Sequence, residues 1–201
     1  MPRVHHLLQL LTSKMGQPYD LHEQVPPWHF GWSGPWNCST LVAWGLWQAG
    51  DYHLFGCRPY SPPGHHATFP SWWRVGRLWA WTEWFYEDLR RYGERISEDA
   101  AANTPGAIAL YRPRESSSGI GHIAISLGNN RIIEAHGSKS SKSGVMASRS
   151  LTGHGFRHFY LLRNFKPEGH EHHHRHHCHR HQHVGHNSPG DWAHRQPWGF
   201  R

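Results

Sequence analysis

"GHIAISLGNNRIIEAHG" (residues 121–137) is two runs rich in β-branched residues separated by Gly128, Asn129 and Asn130, the composition of a β-hairpin. With those three residues as the loop, His122 falls opposite His136 and Ala124 opposite Glu134, and the three polar side chains share one face. A two-residue Asn-Asn loop would slip the pairing by one position and send Glu134 and His136 to the other face. Loop length therefore decides whether this ribbon sets a histidine beside a carboxylate.

The hairpin has company. "AIALYRP" (residues 107–113) and "FRHFYLLRN" (residues 156–164) are further short runs of β-branched and aromatic residues, bounded by turn formers. Helical patterns precede them. "VHHLLQLLTSKMG" (residues 4–16) carries Val4, Leu7, Leu8 and Leu11 as a stripe, closed by Gly16 and Pro18. In "PWNCSTLVAWGLWQAG" (residues 35–50), Cys38, Leu41, Val42, Gly45, Leu46 and Ala49 fall on one helix face, and Gly50 sits where a C-terminal cap belongs. Asn37 is a good N-cap, which places Cys38 at the first helical position and lets Trp36 and Leu41 pack across the cap. Helices first and an antiparallel sheet second predict an α+β fold, with N-terminal helices packed on a central sheet.

Residues 17–36 read as a long ordered loop, and residues 51–103 as a Trp-rich variable region. Within that region only "TEWFYEDLRRYGE" (residues 82–94) has a helical pattern, while "RPYSPPGHHATFP" (residues 58–70) reads as a loop. We expect one folded domain over residues 1–165. Residues 166–201, with few aliphatic side chains, read as a disordered low-complexity tail.

Composition narrows the function. The chain has 201 residues, 12 Trp, 22 His and a formal charge of +7, with a mean hydropathy of -0.74. That charge favours polyanions, but the Lys and Arg are scattered and no basic helix is interleaved with stacking aromatics, so no nucleic-acid partner is expected. Nothing is long and apolar enough to span a membrane, and the first residues lack a signal-peptide pattern, so action outside the cytoplasm would need delivery, phage-associated or secreted. A monomer is expected. Cys38, Cys57 and Cys178 are odd in number and unpaired in spacing, which argues for a free thiol rather than a disulfide framework.

Cys38 is the thiol with a setting. A helix N-terminus favours negative charge, lowers a thiol pKa and offers backbone amides to an oxyanion. Acyl transfer by a thiolate also needs a base and a group that orients it. The hairpin supplies His122 as base, with Glu134 and His136 as two candidate orienters. The bland alternatives are a buried structural thiol, a core histidine, and Glu134 as an ion-pair partner of Arg131 or Arg163. Neither Cys57 nor Cys178 is assigned a part in the reaction, and His154 and His158 are read as structural or surface residues.

"WNCSTLVAWGLWQAG", "TPGAIALY" and "GHIAISLGNNRIIEAHG" resemble, in order and spacing, the motifs of the NlpC-type cell-wall peptidases, papain-like cysteine hydrolases. "GQPYD" (residues 16–20) is similar to that family's Gly-x-Pro-Tyr segment. The resemblance covers about residues 5–50 and 104–162 and implies a papain-like fold, Cys38 as nucleophile, His122 as base, Glu134 as third residue and His136 as its substitute. It implies cleavage of an amide bond in peptidoglycan stem peptides through a Cys thioester, with no cofactor and no metal required. Phage lysins, virion-associated hydrolases and toxin effectors are the settings that suit such a chain. Asn37, Thr40 and Ala107 replace the family's usual Asp, Gly and Asp. The alternatives are an N-acetylmuramoyl-L-alanine amidase of the related Cys-His class, and a non-catalytic metal- or wall-binding protein.

Two features stand outside the motifs. Trp72, Trp73, Trp79, Trp81 and Trp84 read as core fillers, or as a platform for sugar rings. Ten histidines lie between His170 and His186, and His172, His173, His174, His176, His177, Cys178 and His179 could bind a divalent metal weakly. A pH-dependent polycation and an expression tag are the other readings of that tail.

Overall fold

The computed structural model describes residues 3–25, 28–50, 55–59, 78–137 and 143–163. The histidine-rich stretch, Trp72 and Trp73 lie outside the described residues. Two N-terminal helices, α1 (Arg3–Thr12) and α2 (Cys38–Gln48), form as the sequence predicts. Helix α1 buries Val4, Leu7 and Leu11, the stripe that faces α2. Helix α2 differs from the one-faced expectation, since every residue from Cys38 to Leu46 is buried. It is the central helix, and its mean apolarity rather than its periodicity reports that position.

A two-stranded ribbon, β1 (Cys57–Pro59) and β2 (Leu78–Ala80), precedes α3 (Thr82–Tyr92). Then come β3 (Gly93–Arg95), α4 (Glu98–Asn103), β4 (Ile108–Tyr111), β5 (His122–Gly128), β6 (Arg131–His136), β7 (Gly144–Arg149) and β8 (His158–Leu162). Strands β3 to β8 make one antiparallel sheet in the order β3-β8-β4-β5-β6-β7. The fold is therefore α+β, with N-terminal helices on a six-stranded antiparallel sheet.

Alternation along the strands makes two cores. Ile123, Ile125, Ile133 and Ala135 pack with Leu7, Leu11, Leu41 and Leu46 of α1 and α2. Ala124, Ile132 and Ala109 pack with Ala101 and Ala102 of α4 and with Leu151 and Phe156. By the same alternation, His122 and Glu134 belong to the second face, with His122 at the start of β5.

The hairpin reaches its register by a route the sequence reading did not foresee. The loop is two residues, not three: Gly128 pairs with Arg131, and Asn129 and Asn130 hold φ of 52° and 56°, the left-handed values a tight primed turn demands. Asparagine tolerates them better than most residues. That turn alone would send Glu134 to the wrong face. A bulge between Ser126 and Gly128 inserts Leu127 as an extra residue, so Ile125 pairs with Ile133 and the register beyond runs as a three-residue loop would set it. The Ser126 hydroxyl accepts a hydrogen bond from the Gly128 amide at 3.1 Å and closes the bulge.

Candidate active site

Asn37 begins the site. Its side-chain oxygen accepts from the Thr40 amide at 2.8 Å, and the Thr40 hydroxyl accepts from the Asn37 amide at 3.1 Å, a reciprocal cap that makes Cys38 the first helical residue. Thr40, where the resembled family has Gly, is thus half of the cap. The Asn37 side-chain nitrogen Nδ2 donates to the Glu23 carbonyl at 2.6 Å, tying the incoming loop to the helix start.

His122 opens β5, and its Nε2 lies 2.6 Å from Glu134 Oε2. With Nε2 committed to Glu134, Nδ1 is the ring nitrogen left to serve Cys38, whose ionisation is coupled to that of His122. The order is Cys38, His122, Glu134. Cys38 is 5% exposed and Glu134 is 2% exposed, so the charges of the chain are shielded from water.

Electrostatics follow from that burial. Burial pushes the Cys38 thiol up, but the hydrogen bond and charge of His122, helped by the Ser39 hydroxyl and the Ile123 amide, bring it below its ordinary value. Burial pulls His122 down, yet the hydrogen bonds and charges of Cys38 and Glu134 raise it to about 10. Both shifts favour the thiolate–imidazolium pair over the neutral pair. Tyr19, from the "GQPYD" segment, feels the Cys38 charge; burial first and that charge second raise its hydroxyl, which stays protonated as a donor.

His136, the substitute orienter, sits with its ring 5.7 Å from that of His122, edge to face. Burial lowers its pKa more than the Glu134 charge raises it. Glu134, not His136, makes the 2.6 Å contact with the base.

His154, read from the sequence as a structural or surface residue, lies beside this pair. Its Nε2 is 3.5 Å from the same Glu134 oxygen, and its ring stacks on Phe156 at 5.0 Å. It comes from an irregular loop, residues 150–156, which Asn130 holds: the Asn130 side chain donates to the Thr152 hydroxyl at 2.8 Å and accepts from the Thr152 amide at 2.9 Å. No periodic pattern marks such a loop. The reading of His158 as structural fits its bond to Glu115 at 2.8 Å, beside Tyr86.

A pocket opens at the thiol, walled by Leu21, His22, Trp81, Thr82, Ile120 and Gly121. Trp81 is 46% exposed at this mouth, so it is not a core filler. Phe85 is the fully buried aromatic of α3 instead.

The geometry is that of a thiol–imidazole–carboxylate chain at a helix N-terminus beside an open pocket, the arrangement nucleophilic acyl transfer uses. In structure the chain is similar to the P60 domain of an antigen of M. avium subspecies paratuberculosis, at 20% identity and a TM-score of 0.48 over 82% of this chain and 96% of that one. It is also similar to the NlpC/p60 domain of the peptidoglycan hydrolase SagA, at 18% identity and a TM-score of 0.47 over 79% and 98% of the two chains. A third likeness is to the peptidoglycan hydrolase RipB of Mycobacterium tuberculosis, at 22% identity and a TM-score of 0.47 over 82% and 65%. No protein-family model matches the sequence, and no curated protein does.

Proposed function

We propose that the protein is a cysteine hydrolase that cleaves an amide bond in peptidoglycan stem peptides. The observation that carries the reading is the 2.6 Å bond of His122 to Glu134, with His122 lowering the Cys38 thiol, in residues whose motifs resemble those of the NlpC-type peptidases.

The Cys38 thiolate attacks the amide carbonyl, and the oxyanion that forms lies against the free amides of the α2 N-terminus. His122 Nδ1 gives its proton to the leaving amine as the C–N bond breaks, leaving a thioester on Sγ. Water then attacks the thioester, His122 takes its proton, and the acid product leaves with the thiolate restored. Glu134 holds the ring through Nε2 and stabilises its charge.

Fragment ends identify the bond. Digestion of purified peptidoglycan by an endopeptidase exposes a new amino group on a stem residue, whereas an amidase releases whole stem peptides and leaves a free lactyl carboxylate. We expect the first. Whole stem peptides as the only product would replace this reading with the amidase.

A further inference from the structure

Among the described residues, one group of three metal-ligating side chains comes together: His122, Glu134 and His154, whose ligand atoms all lie within 4.8 Å of one another. We propose that this group is an inhibitory site for a zinc-type divalent cation, bound by His122 Nε2, Glu134 Oε2 and His154 Nε2. The inhibitory consequence rests on the hydrolase reading; the binding does not.

Two imidazoles and a carboxylate are a donor set that zinc accepts with one position open. Zinc–ligand bonds of about 2.0–2.2 Å set tetrahedral ligand atoms about 3.3 Å apart. His154 Nε2 and Glu134 Oε2 are already 3.5 Å apart. The His122–Glu134 contact, at 2.6 Å, is a hydrogen bond and opens by about 0.7 Å when an ion takes the place of the proton. In that exchange the ion accepts the Nε2 lone pair, one lone pair from Glu134 and one from His154, and the displaced proton goes to solvent. No oxidation state changes.

Access and support are also present. The His154 side chain is 29% exposed, which opens the group to solvent on the loop side. Phe156 stacks on His154 at 5.0 Å and fixes its ring plane, and Asn130 fixes the loop. Metal and base compete for the same atoms: with the ion in place, Nε2 no longer bonds Glu134, and the ring is held for ligation rather than for proton transfer. This is the chemistry of a brake, and it agrees with a reaction that needs no metal of its own.

The test is a site-resolved footprint on the full chain. Free zinc is set with a metal buffer, so that the ten histidines between His170 and His186 do not deplete it. Carbethoxylation of His154 by diethyl pyrocarbonate is then read by peptide mass spectrometry. We expect zinc to protect His154 in the wild type, and Glu134→Gln or His122→Ala to need roughly tenfold more zinc or higher for the same protection. Unchanged protection in both variants, or none in the wild type at micromolar free zinc, overturns the site. In parallel, zinc should inhibit wall digestion, and His154→Ala should shift the inhibition to roughly tenfold higher zinc. Equal inhibition of that variant would place the ion on Cys38 and overturn the proposed inhibitory role. Should no wall be digested, the hydrolase reading fails while the footprint still decides the site.

Discussion

Cys38 and His122 shift each other's ionisation in opposite directions, and the pH behaviour of the protein follows from that pair. Because the thiol is lowered, alkylation of Cys38 by iodoacetamide should stay fast well below the pH at which an ordinary cysteine becomes inert. His122 must carry a proton to the leaving amine, so hydrolysis should fall as pH rises through about 10, where the imidazolium is lost. Alkylation followed by peptide mass spectrometry, beside a pH–rate profile, checks both signs. Glu134→Gln keeps the shape of the orienter and removes its charge, and should lower kcat by about 10²–10⁴-fold with little change in KM. The three residues were legible because each stands in a motif with its own local signal: a capped helix start and a hairpin. His154 was not legible, because its place depends on Asn130 holding an irregular loop, a tertiary fact with no sequence period.

The hairpin shows how an element can be read with the right consequence and the wrong cause. The sequence suggests a three-residue loop, whereas the strand pairing has a two-residue turn plus a bulge at Leu127, and the two differences cancel. Deleting Leu127 removes the extra residue but leaves Ser126 opposite Ile132 and Ile125 opposite Ile133, so His122 and Glu134 should keep their shared face, and hydrolysis and the accelerated Cys38 alkylation should persist. At the other element of the site, Asn37→Ala removes the cap and the bond to the Glu23 carbonyl, and should cost about 1–3 kcal/mol in urea unfolding. Strand β7 was not read because "GVMASR" has little alternation; it is recognised only by its full pairing along β6. Strand β3 has three residues, too few for a pattern. Helix α4 is different, since Ser97 before Glu98 and Asp99 is a cap signal that the sequence does carry.

At the scale of the folded unit, the geometry of the candidate site depends on two packed faces meeting at the start of β5. Helix α2 is pressed onto the sheet by α1, and Gly45 is where they touch: a Cβ there would lie 2.6 Å from Leu11 Cδ2 and 3.1 Å from Leu7 Cδ1, both from fully buried residues. Gly45→Ala should therefore destabilise the fold by about 1–3 kcal/mol in the same unfolding assay. The α+β class was legible from the order of helical and strand patterns, because that order follows from local periodicity. The small ribbon of β1 and β2 was not, since its two strands are separated by Pro- and Gly-rich sequence without a period. The central claim, that this unit assembles a working thiol hydrolase, is tested most directly by digesting purified peptidoglycan with wild type and Cys38→Ala, each with and without chelator, and reading the fragments by mass spectrometry. The account predicts stem-peptide fragments from the wild type alone, undiminished by chelator; equal release by Cys38→Ala, or no release from any wall type by either protein, would contradict it.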